Sequence, residues 1–128
     1  MIFWKTACDS DKKLLFAIGR LFRFHPGLLE LFFDSKYPKL KEPSKKIKRN
    51  SLVLSSGERT LVLIALDIWD GSGNSNFPDI YQNLDERNFK NVLLTLGFLR
   101  DIPAIYLCGQ LELDIISENR GQLEMDNF

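Results

Sequence analysis

The sequence has few of the side chains, and none of the motifs, on which the common enzyme classes depend. It contains one histidine, His25, and two cysteines, Cys8 and Cys108, which are far apart in the chain. A general base or a catalytic triad would have to use His25, and the three residues together have spacings unrelated to those of zinc sites. There is no G-x-x-x-x-G-K-S/T phosphate loop, G-x-S-x-G turn, H-E-x-x-H metal motif or acidic calcium loop. We therefore expect a protein that is not an enzyme and that holds no metal or cofactor.

Long apolar runs and secretion signals are also missing. The longest uninterrupted apolar run, residues 61–66, is far shorter than the roughly 20 residues that a membrane span requires. The first six residues lead at once to Asp9 and Asp11 and not to a long apolar core, which is unlike a signal peptide. Two distant cysteines without a C-x-x-C motif suit reduced thiols. These features predict a cytoplasmic protein that does not bind a membrane.

The charges cancel over the whole chain but are unevenly distributed. Residues 1–50 hold 12 Lys or Arg against 5 Asp or Glu, whereas residues 51–128 hold 5 against 12, so the halves carry +7 and −7. We expect the halves to neutralise each other, either across the domain or between the two copies of a homodimer. Asp67 and Asp70 share one helix face where like charges are unfavourable, and we expect Asp67 to pair with a cation from the first half.

Residues 54–73, LSSGERTLVLIALDIWDGSG, predict the element around which the rest of the chain is organised. Ser55 and Glu58 have the spacing of a capping box, which starts a helix, and Gly71 supplies the left-handed position that ends one. Between them the apolar side chains point in every direction around the helix, so this helix must be surrounded by protein. The sequence therefore predicts a mostly α fold, a small single-domain bundle packed around a central helix at about 56–70.

The start of this helix, LSSGERTL at residues 54–61, resembles the signature motif of ABC-type ATPases, including their chromosome-maintenance and repair branch. In that family a Ser and a Gly at a helix N-terminus contact the phosphate of a nucleotide held by the opposing subunit, and helix N-termini favour anions. The resemblance implies a nucleotide-linked role as the second half of another protein's ATPase site. The family's phosphate loop and its apolar strand ending in Asp-Glu are absent, and a capping box before an apolar helix produces the same letters for structural reasons.

The segments before the central helix predict two shorter helices and a basic connector. Asp9 or Ser10 can cap a first, amphipathic helix, and Pro26 suits the first turn of a second. Residues 34–50 hold seven cations and two prolines, which deny the segment a hydrophobic face and predict an extended, solvated connector. The same charges would suit an electrostatic arm for an acidic partner, nucleic acid included.

The segments after the central helix have the order of a winged helix-turn-helix over residues 56–116. They are a short helix at 77–84, a longer helix at 85–100, a segment at 104–116 that suits a β-hairpin or a helix, and a polar acidic tail at 117–128. Residues 1–116 would then form the single globular domain.

The helix at 85–100 would be the recognition helix of such an arrangement. Its apolar residues have the spacing of a core-facing stripe: Phe89, Val92, Leu93, Leu96 and Leu99. Its other face carries the side-chain types that bond to base edges and phosphates: Arg87, Asn88, Lys90, Asn91 and Thr95. The neighbouring Asp85 and Glu86 would repel a phosphate backbone, and the basic residues at 36–49 would have to compensate.

Small size and the absence of catalytic residues favour a non-catalytic protein that binds another protein stoichiometrically, as an inhibitor, an immunity protein or an adaptor does. The predicted contacts are two aromatic rings and four cations: Phe32, Phe33, Lys45, Lys46, Lys48 and Arg49. The alternative is a winged-helix DNA-binding regulator, and a nucleotide-linked role through residues 55–60 is a third interpretation.

Overall fold

A computed structural model describes residues 9–37 and 39–102, and these ranges are mostly helical, as the sequence predicts. The elements in chain order are α1 (Asp9–Leu21), α2 (Gly27–Phe32), α3 (Ser44–Asn50), a 3-10 helix (Ser51–Val53), α4 (Ser56–Trp69), α5 (Phe77–Asn83) and α6 (Glu86–Leu99). Within the described ranges the only β-structure is a single antiparallel bridge between Phe33 and Leu40. The predicted hairpin at 104–116, the domain boundary at 116 and both cysteines lie outside the described residues.

Helix α4 is the centre of the fold. Ser55 is its N-cap, as predicted: the hydroxyl accepts from the Glu58 N–H at 3.2 Å. The Glu58 carboxylate reaches back to the Ser55 hydroxyl, at 3.0 Å, which differs from the bond to the Ser55 N–H that a full capping box has. The helix packs against α1, α2, α3 and α5. Five apolar residues of its middle turns are buried, and the face that carries Leu63 and Asp67 is partly buried. The five are Leu61, Val62, Ile64, Ala65 and Leu66. None of the described helices combines the length and the apolar character needed to cross a membrane.

The loop after α4 is held by Asp67, and here the prediction of a cation partner was wrong. The Asp67 carboxylate accepts hydrogen bonds from the Asn74 N–H at 2.9 Å, from the Ser75 N–H at 3.0 Å and from the Ser75 hydroxyl. Burial alone would raise the pKa of Asp67, but these bonds, with one from the Gly73 N–H, outweigh it and hold the pKa below its ordinary value. Backbone amides satisfy the carboxylate because the chain turns sharply at Gly71, which has φ +77°.

The basic connector predicted at 34–50 contains helix α3. One apolar residue is enough to position this helix, because Ile47 is buried against the core and the cations point away from it. Before the helix, the Asp34 carboxylate accepts from the backbone N–H groups of Lys36 and Tyr37, which forms a tight turn. After it, the Ser51 hydroxyl donates to the Lys48 carbonyl at 2.6 Å, which leads the chain into the 3-10 helix.

Helix α6 packs against α1, but its buried face overlaps only in part with the one that its periodicity predicts: Val92 is buried and Phe89 packs against the core as expected. The Lys13–Asp101 ion pair, 2.7 Å, joins the two helices at one end, and a 3.1 Å contact between His25 and Asn88 joins them at the other. The buried face is mixed: it includes the polar residues Asn88, Asn91 and Thr95 beside Val92 and Leu94, whereas two leucines of the predicted core stripe are exposed, Leu93 by 39% and Leu96 by 49%. The Asn91 amide favours this orientation, because it donates to the carbonyls of Arg20 and Leu21 in the last turn of α1.

Candidate protein-binding surface

The two aromatic rings predicted to contact a partner are part of the core. Phe32 and Phe33 are 0% and 2% exposed. The Phe32 ring meets that of Phe22 edge to face at 5.7 Å between centroids, and the Phe33 ring meets that of Trp69 at 5.2 Å. Such pairs stabilise a core beyond the area they bury. Neither ring is available to a partner, because Phe32 packs against Phe22 and Phe33 packs against Trp69 of α4.

The five residues predicted to contact DNA do not form an accessible face. Asn88, Asn91 and Thr95 are buried between α6 and α1, where Asn88 contacts His25 and the Thr95 hydroxyl donates to the Asn91 carbonyl. Lys90 forms an ion pair with Glu86 at 3.0 Å, and the Arg87 guanidinium lies 4.4 Å from the centre of the Phe24 ring. Base edges could not reach the three buried side chains without separating the two helices.

The four predicted cations of α3 do lie together, and three of them are exposed. Lys45, Lys46 and Arg49 lie on the side of α3 opposite Ile47, whereas Lys48 is half-buried and donates to the Ser72 carbonyl at 3.2 Å. Lys46 is 3.6 Å from Glu42, an exposed pair one helical turn away. Among the described residues, Lys45 and Arg49 form no salt bridge. The helix therefore presents positive charge to solvent.

Two apolar side chains that the sequence analysis did not single out extend this basic face. Leu52 and Val53, in the 3-10 helix directly after α3, are 64% and 89% exposed. Beside them a shallow groove is lined by Leu31, Ile47, Asn50, Ser51, Leu54 and Val62. We call Lys45, Lys46, Arg49, Leu52 and Val53 the α3 surface. In the sequence, the signal for these exposed residues is the run of three apolar residues at 52–54, directly after a basic segment. The same run also suits a strand or the segment that leads into α4.

Four of the residues that resemble the ABC signature have structural roles: Ser55, Gly57, Glu58 and Thr60. Ser55 and Glu58 bond to each other at the start of α4. A Cβ at Gly57 would lie 3.1 Å from the Asn83 carbonyl oxygen, so glycine permits the close approach of α5. Thr60 is buried and lies 3.3 Å from the Asn83 side-chain amide. Folding requirements thus account for these letters, and the first turn of α4 is partly covered by α5.

His25 joins three elements. Its Nδ1 lies 3.9 Å from the Glu58 carboxylate on α4, and its Nε2 accepts from the Asn88 amide on α6 at 3.1 Å. The Ser55 hydroxyl bonds to this same Glu58 carboxylate and not to the imidazole, which is not the geometry of a nucleophile and its base. In the described part of the chain, no group of three His, Cys, Asp or Glu side chains is arranged to hold a metal ion.

Of the predicted site residues in the described ranges, the exposed cations of α3 are thus the ones that the fold brings together, and Leu52 and Val53 extend them into the α3 surface. No protein-family model, curated protein or solved structure matches this chain, so only its own geometry bears on its function.

Proposed function

We propose that this chain is a non-catalytic protein that binds a partner protein stoichiometrically through the α3 surface, in the manner of an inhibitor, an immunity protein or an adaptor. The observation that supports this most is the combination of Leu52 and Val53, 64% and 89% exposed, with three exposed cations on the adjoining turn of chain. Single exposed leucines are common on protein surfaces, but exposed aliphatic residues that lie next to each other and have a charged border are typical of interaction sites.

The two kinds of side chain would contribute differently. Burial of an aliphatic side chain is worth about 1.5–3 kcal/mol when it is complete, so Leu52 and Val53 would supply most of the affinity. Lys45, Lys46 and Arg49 lie at the border, where charges mainly raise the association rate and select the partner. The partner should therefore offer an apolar pocket with an acidic rim.

Nucleic acid fits the same surface less well. Phosphate contacts use cations and polar groups, and they would leave Leu52 and Val53 exposed to water. The helix that would read base edges has its Asn and Thr side chains buried against α1. For these reasons the partner in this proposal is a protein and not DNA.

Comparative affinity purification tests the proposal. The unmodified chain, Leu52→Asp and Val53→Asp are used to capture proteins from the native host, and Phe77→Asp is the matched control because Phe77 is 82% exposed on a different helix. We expect one stoichiometric partner to be lost with the first two variants and retained with the third. A partner retained by all variants, or nucleic acid released only by charge substitutions on α3, would contradict the proposal.

A further inference from the structure

The basic segment around α3 is not neutralised by the part of the chain that packs against it. Residues 34–50 hold seven cations against two acids, Asp34 and Glu42. The Asp34 carboxylate is used by two backbone N–H groups, and Glu42 reaches only Lys46, at 3.6 Å. Among the described residues, Lys41, Lys45 and Arg49 have no salt bridge at all. Positive charge is therefore concentrated on this side of the molecule.

The acidic complement is in the C-terminal part of the sequence. Residues 103–128 contain five acids and one cation, a net charge of −4. Two of the acids alternate with apolar residues in the segment L-E-L-D-I-I, residues 111–116. The α3 surface likewise combines cations with exposed aliphatic side chains, at Leu52 and Val53. Residues 111–116 thus carry acidic groups that complement the cations of the α3 surface and apolar groups that complement Leu52 and Val53.

The chain between Ile102 and the acidic segment is long enough for that segment to reach the α3 surface. Asp101 pairs with Lys13 at the start of α1, which is the end of the α1–α6 pair away from His25. The bond from Lys48 to Ser72 places α3 beside the end of α4, whose start lies beside His25. Nine residues lie between Ile102 and Glu112, and the ten Cα–Cα steps can span about 35 Å, whereas a domain of this size has a diameter of roughly 30 Å.

We infer that the C-terminal acidic segment, residues 111–126, binds the α3 surface of its own chain and competes there with the partner protein. The competition rests on the proposed function, whereas the intramolecular contact does not. Because a tethered segment has an effective concentration in the millimolar range, weak exposed ion pairs are enough to occupy the surface for part of the time. Neutralising the segment should then tighten partner binding by roughly two- to tenfold.

Zero-length carbodiimide coupling of the full-length chain tests the intramolecular contact. The reagent joins a lysine amine to a carboxylate with which it forms an ion pair, and mass spectrometry then locates the bonds. We expect Lys45 and Lys46 to couple to carboxylates between Glu112 and Asp126, and we expect this coupling to disappear in 1 M salt because exposed pairs are screened. The Lys13–Asp101 pair, at 2.7 Å, is the internal positive control.

Mixing unlabelled and 15N-labelled protein separates the contact within a chain from one between two copies. Bonds that join only peptides of the same isotope support the proposal, whereas mixed pairs would assign the surface to a homodimer and overturn it. Coupling of Lys13 to Asp101 without coupling to the C-terminal segment would overturn it as well. Gln and Asn substitutions at all five acids of the segment should abolish the coupling and leave the melting temperature unchanged; these acids are Glu112, Asp114, Glu118, Glu124 and Asp126.

The two proposals fail in distinguishable ways. Coupling in the absence of any captured partner would contradict the proposed function and leave the intramolecular contact intact. A partner lost with Leu52→Asp, but bound with unchanged affinity by the neutralised C-terminal variant, would contradict the competition alone.

Discussion

The close packing of the loop after α4 predicts that Gly73→Ala destabilises the protein. Gly73 is buried, and a Cβ there would lie 1.9 Å from the Leu63 carbonyl oxygen and 2.8 Å from the Asp67 carboxyl carbon. The carbonyl belongs to the backbone of the central helix and cannot retreat without disturbing that helix. The loop must therefore move outwards and lose hydrogen bonds to the Asp67 carboxylate. At about 1.5–3 kcal/mol for each bond to a charged group, the loss of one or two costs about 1.5–6 kcal/mol.

Two other glycines provide matched controls. Gly27 is the first residue of α2, and a Cβ there would meet nothing within 4 Å, so Gly27→Ala should change the free energy of unfolding by less than about 1 kcal/mol and favour the native state. Gly71 also has open space but has φ +77°, so Gly71→Ala should cost about 1–2 kcal/mol from backbone strain alone.

Urea unfolding followed by circular dichroism at neutral pH gives all three values from one assay. The free energy of unfolding should fall most for Gly73→Ala and less for Gly71→Ala, and it should stay the same or rise slightly for Gly27→Ala, with unchanged m-values. If Gly73→Ala were as stable as Gly27→Ala, the loop would not pack on α4 as described, and the account of the Asp67 carboxylate would be refuted.

Three further predictions concern single side chains. Because the pKa of Asp67 is lowered on folding, its contribution is complete above the ordinary value of 3.8 and is lost as the pH falls below it; urea titrations between pH 6 and pH 2.5 should show a weaker pH dependence for Asp67→Asn. Asn91→Ala should lower the free energy of unfolding by about 1–3 kcal/mol, measured by the same titration, because carbonyls at the end of α1 lose their buried donor. Phe33→Asp should abolish cooperative melting, whereas Leu52→Asp should leave the melting temperature within a few degrees of the parent value.

The parts of the fold that depend on neighbouring residues could be predicted from the sequence. Helix α4 is an example, because a capping box at Ser55 and apolar residues on every side describe a buried helix without reference to its partners. The exposed cations of α3 are another example, since lysines in such number have few ways to be buried.

The parts that depend on distant residues could not be predicted in this way. The leucine spacing of α6 indicates a core face at Leu93 and Leu96, but the carbonyls at the end of α1 attract Asn91 and rotate the helix. Phe33 and Val53 are both apolar residues in short segments, yet Phe33 is buried and Val53 is exposed. Only the tertiary contacts of α2 and the 3-10 helix distinguish the two positions. The amide partners of Asp67 also depend on the tertiary structure, because the turn at Gly71 brings the loop back to α4.

The central claim, that the α3 surface binds a partner protein, is tested most directly by isothermal titration calorimetry with the purified partner. The unmodified chain, Leu52→Asp, Val53→Asp and the control Phe77→Asp should each be titrated at low and at high salt. The account predicts one site per chain, at least tenfold weaker binding for each of the first two variants, unchanged binding for the control and a slower association in high salt when rates are followed in parallel. Equal affinity for all four proteins would contradict it.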